Sequence, residues 1–411
     1  SVEDPSTLLT KLGDDDLQVL RRLSSEGAAW IVGGWVRDGL SSTHNSDLDI
    51  ATSLVPGDVI RIFPDSLTHG ARFGTIGVRI PGNDRTWEVT SLRSEAGYTD
   101  GRRPDAVVFG KNIIEDLSRR DFTVNSMAIS FPDGEFLDPF GGIGDLQSKT
   151  IRTVGDPSER FSEDGLRILR GYRFLSASDL WSLSDETESA MKECISMIDN
   201  VSSERIGSEI RRMVNLPSGG NSLKLMQQHG ILGKILPGAS LPDRFRTTGD
   251  ISVDMALLYS DSDVDPKTSS DTLKSNLKFT KEEVSIFELL MSLQVRSALA
   301  SAEEIRRFHV AVPPEWKGRV LRYFESKGED RSQILSAIGP PVAGAVPLVD
   351  GNMLSKFTGL KPGIRLGRLK GHLHRLQIER DMTCKDEVLD CVSEIDYVNG
   401  DPLNWELLSW P

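Results

Sequence analysis

Two short stretches of this chain combine residue types that handle phosphates and metal ions. One is Gly33-Gly34-Trp35-Val36-Arg37-Asp38; the other is Asp47-Leu48-Asp49. A glycine pair lets the backbone approach a phosphate closely, and N–H groups at a helix start favour an anion. Arg37, just inside such a helix, can reach the same anion. Alternate side chains of a strand share a face, so Asp47 and Asp49 would present two carboxylates side by side. Adjacent carboxylates repel. A divalent cation relieves that repulsion, and Mg²⁺ prefers carboxylate oxygens. Singly, the glycines read as a tight turn and the acids as an exposed edge. Together, with Arg37 in register, they point to a phosphate-plus-metal site. Glu88, in Trp87-Glu88-Val89-Thr90, is a candidate third carboxylate on a strand that could neighbour 47–49; a solvent-facing strand acid is the equal alternative.

The elements that must position these residues are legible from periodicity. Leucines at 8, 9, 12, 17, 20 and 23 predict helix over 6–24. The apolar run 28–32 predicts a short buried strand ending at the glycine pair, with a helix from Trp35. Strands are expected at 47–51, 74–80 and 86–90, the last two separated by the turn Pro81-Gly82-Asn83-Asp84. After about residue 155 strand signals almost vanish. Helical spacing covers 161–175, 185–198, 203–214, 222–228, 281–299 and 302–308, with linkers at 261–270 and 339–349. The fold class expected is α+β: a mixed sheet with helices, followed by an all-helical remainder. The expected domains are 1–150, 151–215, 216–340 and 341–411.

Composition bounds the function. The chain has 411 residues, 38% hydrophobic and 27% charged, which suits soluble globular domains and excludes bulk disorder. Apolar runs such as 28–32 are far short of a membrane span, and the opening SVEDPSTLL is not expected to act as a secretory signal. Cys194, Cys384 and Cys391 form no disulfide framework or metal knuckle, so a reducing, cytoplasmic setting is expected. Net charge is −13. A nucleic-acid partner would therefore be met by local basic patches or by metal ions.

Further motifs have a chemical reading. Arg119-Arg120-Asp121-Phe122-Thr123-Val124-Asn125 gathers two cations, an acid and an amide, read as lying within two helical turns. In Ser162-Glu163-Asp164-Gly165-Leu166-Arg167, Ser162 reads as an N-cap opening a helix. Asp164 and Arg167, three apart, would then offer an acceptor and a planar donor fork to a base edge. Segment 203–213 reads as structural support, with Glu204, Arg205 and Glu209 in capping or salt-bridge contacts. Residues 361–380 hold six Lys/Arg against Glu379, a local basic patch or a solvated helix face. His372-Leu373-His374 lacks a third ligand, and no HxxxHD-type hydrolase cluster occurs.

The ordered series GGWVRD, DLDIA, HGARFGTIGV, EVTSLR, YTDGRRPD, RRDFTVNSMA, DPFGGIGDLQSKTIRTVGDP, RFSEDGLRILRGYRF and SSERIGSEIRRM resembles the nucleotidyltransferases with a polymerase-β-type head. The resemblance is to class II CCA-adding enzymes and the related poly(A) polymerases. It is dense over 30–213 and looser over 348–371, in DGNMLSKFTGLKPGIRLGRLK. It implies a catalytic head, a neck, a body and a tRNA-binding tail, and template-independent addition of C, C and A to the 3′ end of tRNA. CTP and ATP would be the substrates, with Mg²⁺, two ions, on Asp47 and Asp49, and pyrophosphate leaving. The resemblance makes Asp47, Asp49 and Glu88 catalytic. It makes Gly33, Gly34, Arg37, Arg120, Asp121, Asn125, Glu163, Asp164, Arg167, Arg170 and Arg173 nucleotide-binding, Arg120 and Asp121 at the ribose, Asp164 and Arg167 at the base. Arg365, Arg368 and Lys370 would meet RNA; no membrane or protein partner is implied. Segment 97–110 resembles the family's flexible loop, which argues against a CC-only enzyme, and Asp138 with 141–145 resembles its hinge. CC-only or A-only addition, poly(A) synthesis and a non-catalytic RNA-binding module are the alternatives.

Overall fold

A computed structural model describes residues 1–43, 46–94, 108–109, 112–293 and 299–411. The expected flexible loop at 97–110 lies almost wholly outside the described residues. The chain divides into two compact units, Ser1–Glu209 with Leu216–Ser222, and Ile210–Asn215 with Leu223–Pro411.

The first unit is built on a six-stranded mixed sheet. Its strands are β1 (Ala29–Val32), β2 (Asp49–Thr52), β3 (Thr75–Val78), β4 (Trp87–Ser91), β5 (Ala128–Phe131) and β6 (Phe136–Leu137). They lie in the order β3-β4-β2-β1-β5-β6; β2 and β4 are parallel and every other pair is antiparallel. Register explains the two faces. Ile76, Val89, Ile50, Ile31 and Ile129 line up across five strands and are all buried. One residue along, the side chains point the other way, and that row contains Gly77, Glu88, Asp49, Val32 and Ala128. On this second face Val32, Ala51, Leu92 and Ala128 pack with Ile113 and Leu117 of the helix Ile113–Ser118. That packing fixes the helix whose end leads into Arg119 and Arg120.

The expected strands form; those at 28–32, 47–51 and 74–80 are a residue or more shorter than read, and that at 86–90 keeps its length shifted by one residue. The strand after the turn begins at Asp49, so Asp47 precedes it in an irregular segment. The central strand β5 was not visible in the sequence, since Met127–Phe131 follows directly on a motif read as helical. That motif is instead a bend: the helix ends at Ser118, Phe122 bridges to Thr153, and only Thr123–Asn125 turns, as a 3-10 helix. The first expected helix breaks at Gly13 into Pro5–Lys11 and Asp14–Ser24.

Outside this sheet the strands among the described residues are two short pairs, antiparallel Arg93–Ser94 with Val108–Phe109 and parallel Thr150–Ile151 with Ser182–Leu183, and the chain after 155 is mainly helical. Ser203–Val214 forms as read, whereas the expected linker at 261–270 runs into the helix Pro266–Leu277, capped by Asp265. In the second unit the helix Ile364–Glu379 buries Leu366, Leu369 and Leu373 against Leu354, Val388, Val392 and Trp405.

Candidate active site

The site starts from a backbone conformation. Gly33 closes β1 with φ +74° and ψ −136°, which side chains with a Cβ rarely adopt. A Cβ at Gly33 would lie 3.1 Å from Arg120 Nη1 and 3.8 Å from Asp49 Oδ2. The glycine thus leaves a space that a guanidinium and a carboxylate both border. A Cβ on Gly34 would meet Ser46 Oγ at 2.8 Å, so the second glycine admits the segment entering β2.

Asp49 is half-buried, pairs in register with exposed Glu88 on β4, and follows exposed Asp47. Burial, then the Glu88 carboxylate, pushes Asp49 up to about 6; Arg120 pulls it down, and Asp47 adds to the rise. Among the described residues no three His, Cys, Asp or Glu are already gathered as a metal cage. The donor set nonetheless fits a hard divalent cation. It is all carboxylate oxygen, its charge is only partly offset by Arg120, and such ions complete their shell with water and substrate phosphates. Arg120 Nη2 reaches Asp116 at only 3.4 Å, and its buried Nε has no hydrogen-bond partner among the described residues. Its donors therefore remain largely available beside the acidic pair.

From this point a polar network runs through the unit. Arg37 donates from Nε to Asp38 (2.8 Å), from Nη1 to Asn125 Oδ1 (2.6 Å) and from Nη2 to Ser46 Oγ (3.2 Å). Asn125 Nδ2 donates to Asp121 Oδ1 (3.2 Å), and Asp121 Oδ2 accepts from Arg170 Nε (2.6 Å). Glu209, on Ser203–Val214, pairs with Arg173 and lies 4.0 Å from Arg170. Burial alone would raise the Asp121 carboxyl; Arg170 beside it holds it below its usual value. Sequence reasoning missed Phe174, whose ring lies 5.3, 5.5 and 4.4 Å from the guanidinium carbons of Arg37, Arg170 and Arg173. An aromatic one and four positions after two of those arginines was the available signal.

The segment 162–167 is arranged differently from its reading. One helix ends at Glu163 and a second, Leu166–Leu175, begins after Gly165, so Asp164 is a junction residue in extended conformation. Ser162 caps nothing: it lies inside Pro157–Glu163, whose N-cap is Asp156. Gly165 is closely packed, since a Cβ there would lie 2.2 Å from Met197 O. Asp164 pairs with Arg205 (Nη2–Oδ2 2.7 Å), not with Arg167. Arg167 donates to Glu163 (2.6 Å) and to the carbonyls of Arg160 and Arg119, each at 3.0 Å. Asp138, read as part of a hinge, accepts from Gly142 N and Ile143 N and caps the helix Gly142–Ser148.

The tail residues lie in the second unit. Arg365 donates to the carbonyls of Tyr397 and Gly400, and Arg368 to those of Pro402, Leu403 and Trp405. His372 Nδ1 is 2.8 Å from Glu406 O, and Arg375 donates to Leu407 O. These side chains hold the carboxy-terminal segment along one stripe of Ile364–Glu379. Of the three expected RNA contacts, only half-exposed Lys370 makes none of these contacts.

A glycine bend, paired strand acids and a guanidinium over them define a nucleotidyltransferase-type head, and comparison agrees. Residues 29–152 match the family model "Poly A polymerase head domain", and 182–241 match "Probable RNA and SrmB- binding site of polymerase A". A CCA-adding enzyme of Lactobacillus gasseri is 40% identical over 54% of this chain and 55% of its own length, so the matched stretch spans about half of that relative. The CCA-adding enzyme of Streptococcus gordonii is 31% identical over 86% of this chain and 90% of its own length. The chain belongs to the CCA-adding enzymes. The solved Bacillus stearothermophilus CCA-adding enzyme in complex with CTP is 26% identical, with TM-score 0.68 over 95% of this chain and 98% of that one. The Thermotoga maritima CCA-adding enzyme complexed with tRNA, at 20% identity and TM-score 0.67 over 96% and 99%, shares the fold. Among the described residues no helix is long and apolar enough to cross a membrane.

Proposed function

We propose that this chain adds C, C and A to the 3′ end of tRNA, using CTP and ATP without a nucleic-acid template and releasing pyrophosphate. The observation that supports this best is the sheet face itself. Asp49 and Glu88 stand in register there, and Arg120 and Asp49 both border the space at Gly33. The triphosphate would lie on the backbone at Gly33 and Gly34, and Arg120 would reach the ribose beside it. Arg37 is already held by Asp38, Asn125 and Ser46 and would act as a fixed positive wall. Asp121 would serve the ribose end by fixing Asn125 and Arg170, and Asp164 with Arg167 would select the base, Glu163 steadying Arg167. Arg173 would support the phosphate side through the network at Glu209.

Two Mg²⁺ ions, held by Asp47 and Asp49 with Glu88 as third carboxylate, would lower the pKa of the attacking 3′-hydroxyl and stabilise the leaving oxygens. We assign 1–150 as head, 151–215 as neck, 216–340 as body and 341–411 as tRNA-binding tail, acting in the cytoplasm. Labelled CTP and ATP offered to tRNA ending before CCA, after C and after CC test the proposal. C, C and then A should be added and addition should stop. Long A tracts on unrelated RNA would favour the second reading, poly(A) synthesis, which the head-domain match keeps in view. No incorporation would leave an RNA-binding module.

A further inference from the structure

We infer that Arg205 is a positioning residue for nucleobase choice, acting through Asp164; the inference rests on the proposed base-reading role of Asp164. Asp164 sits between two helices, and its carboxylate accepts from Leu166 N at 3.0 Å and from both Arg205 nitrogens, at 3.3 and 2.7 Å. Arg167 has its own partners, Glu163 and two main-chain carbonyls. The acid and the fork of this motif are thus oriented separately, and the group that orients the acid comes from the helix Ser203–Val214.

The chemistry of the bases gives this a consequence. A carboxylate offers about four lone-pair sites. Arg205 and Leu166 N occupy three, leaving one acceptor direction that is fixed. Cytosine and adenine each present an exocyclic amino donor, whereas uracil and guanine present a carbonyl at the corresponding position. A fixed anionic acceptor takes the first two and repels the second two. Without Arg205, Asp164 is free to turn toward Arg167, three residues along, and that acceptor is lost. Arg205 is itself half-exposed, with a side-chain exposure of 50%, so the pair adds little to stability and its removal opens no cavity.

The test uses the full chain, a tRNA lacking CCA, and single nucleotides. Arg205→Met should raise KM for CTP and ATP about ten-fold, leave kcat nearly unchanged, and raise UTP use relative to CTP about ten-fold. Arg205→Lys, which keeps the charge but not the two-pronged contact, should recover part of the discrimination and serves if the Met variant folds poorly. In an Asp164→Ala background Arg205→Met should add nothing further. Unchanged discrimination in both Arg205 variants, or full additivity with Asp164→Ala, overturns the role of Arg205 alone. If Asp164→Ala itself discriminates normally, the base-reading role of Asp164 falls and the inference falls with it.

Discussion

Asp49 and Glu88 are register partners on adjacent parallel strands, and the Glu88 carboxylate makes Asp49 harder to ionise. Sheet register places the two acids side by side. Burial raises Asp49 further, and Arg120 only partly offsets it. An acidic pair of this kind is poorly tolerated without a cation and well prepared to receive one.

Nucleotide incorporation should therefore rise with pH through about 6, where Asp49 ionises, and level off above it. Glu88→Gln removes a repelling charge, so its acid limb should move to lower pH. Added Mg²⁺ should move the wild-type limb the same way, because cation and proton compete for one carboxylate. Single-turnover rates between pH 5 and 8 measure both.

Asp47→Ala should abolish turnover, by about a thousand-fold or more, equal to about 4 kcal/mol of transition-state stabilisation. Binding of tRNA, measured by filter retention, should be unchanged. Turnover near that of the parent chain would refute the metal assignment.

Asp121→Ala should cost stability. Its side chain is 8% exposed, and its loss leaves Arg170 without its closest carboxylate. Breaking one partner of a buried pair costs about 3–5 kcal/mol; Arg170 is 31% exposed, so the lower end is expected. Arg170 keeps the folded-state carboxyl below its ordinary value of 3.8. The pair's contribution is therefore complete above the unfolded-state range and lost as pH falls through the lower folded value. Urea unfolding at pH 7 and at pH 3 should show the difference between Asp121→Ala and the parent narrowing in acid.

Asp254 predicts the opposite slope. It is fully buried, its Oδ1 accepts from Thr248 N and Oγ1 at 2.8 Å, and its Oδ2 has no partner among the described residues. Burial pushes it up to about 6 from 3.8. Between those values the folded chain keeps a proton that the unfolded chain releases, so stability falls as pH rises and is flat above. A shift of this size costs on the order of 3 kcal/mol at neutral pH. Asp254→Asn keeps the acceptor for Thr248 and should recover about 1–2 kcal/mol at pH 7.5, with no gain at pH 4.

Gly165→Ala should destabilise, although alanine is the better helix former by about 1 kcal/mol. The added methyl meets a main-chain oxygen, Met197 O, at 2.2 Å. A shift of the turn Ile195–Asn200 or of the helix start should cost about 1–3 kcal/mol and disturb Asp164 next door. Thermal unfolding and CTP incorporation read the two effects.

The sheet and its acids were legible in the sequence because period-two alternation and a glycine pair are local signals. Glu88 was an even choice until register set it against Asp49. Residues 119–125 and 162–167 were read as helical from spacing alone. Spacing does not show that Phe122 bridges to Thr153 or that Gly165 packs under Met197, since those partners lie 31 and 32 positions away. Arg365 and Arg368 were read as a surface for RNA because local composition is basic. What occupies them is main chain from more than thirty residues downstream, which no local pattern announces.

The hold of that basic stripe on its strap has an evolutionary corollary. Arg365, Arg368, His372 and Arg375 grip peptide oxygens, which every amino acid supplies alike. Exposed strap positions such as Val398 and Leu403 are thus free to drift without unseating the strap, while the four anchors and buried Trp405 are not. Selection should bear on the anchors and on that one indole, and leave the exposed strap positions almost silent.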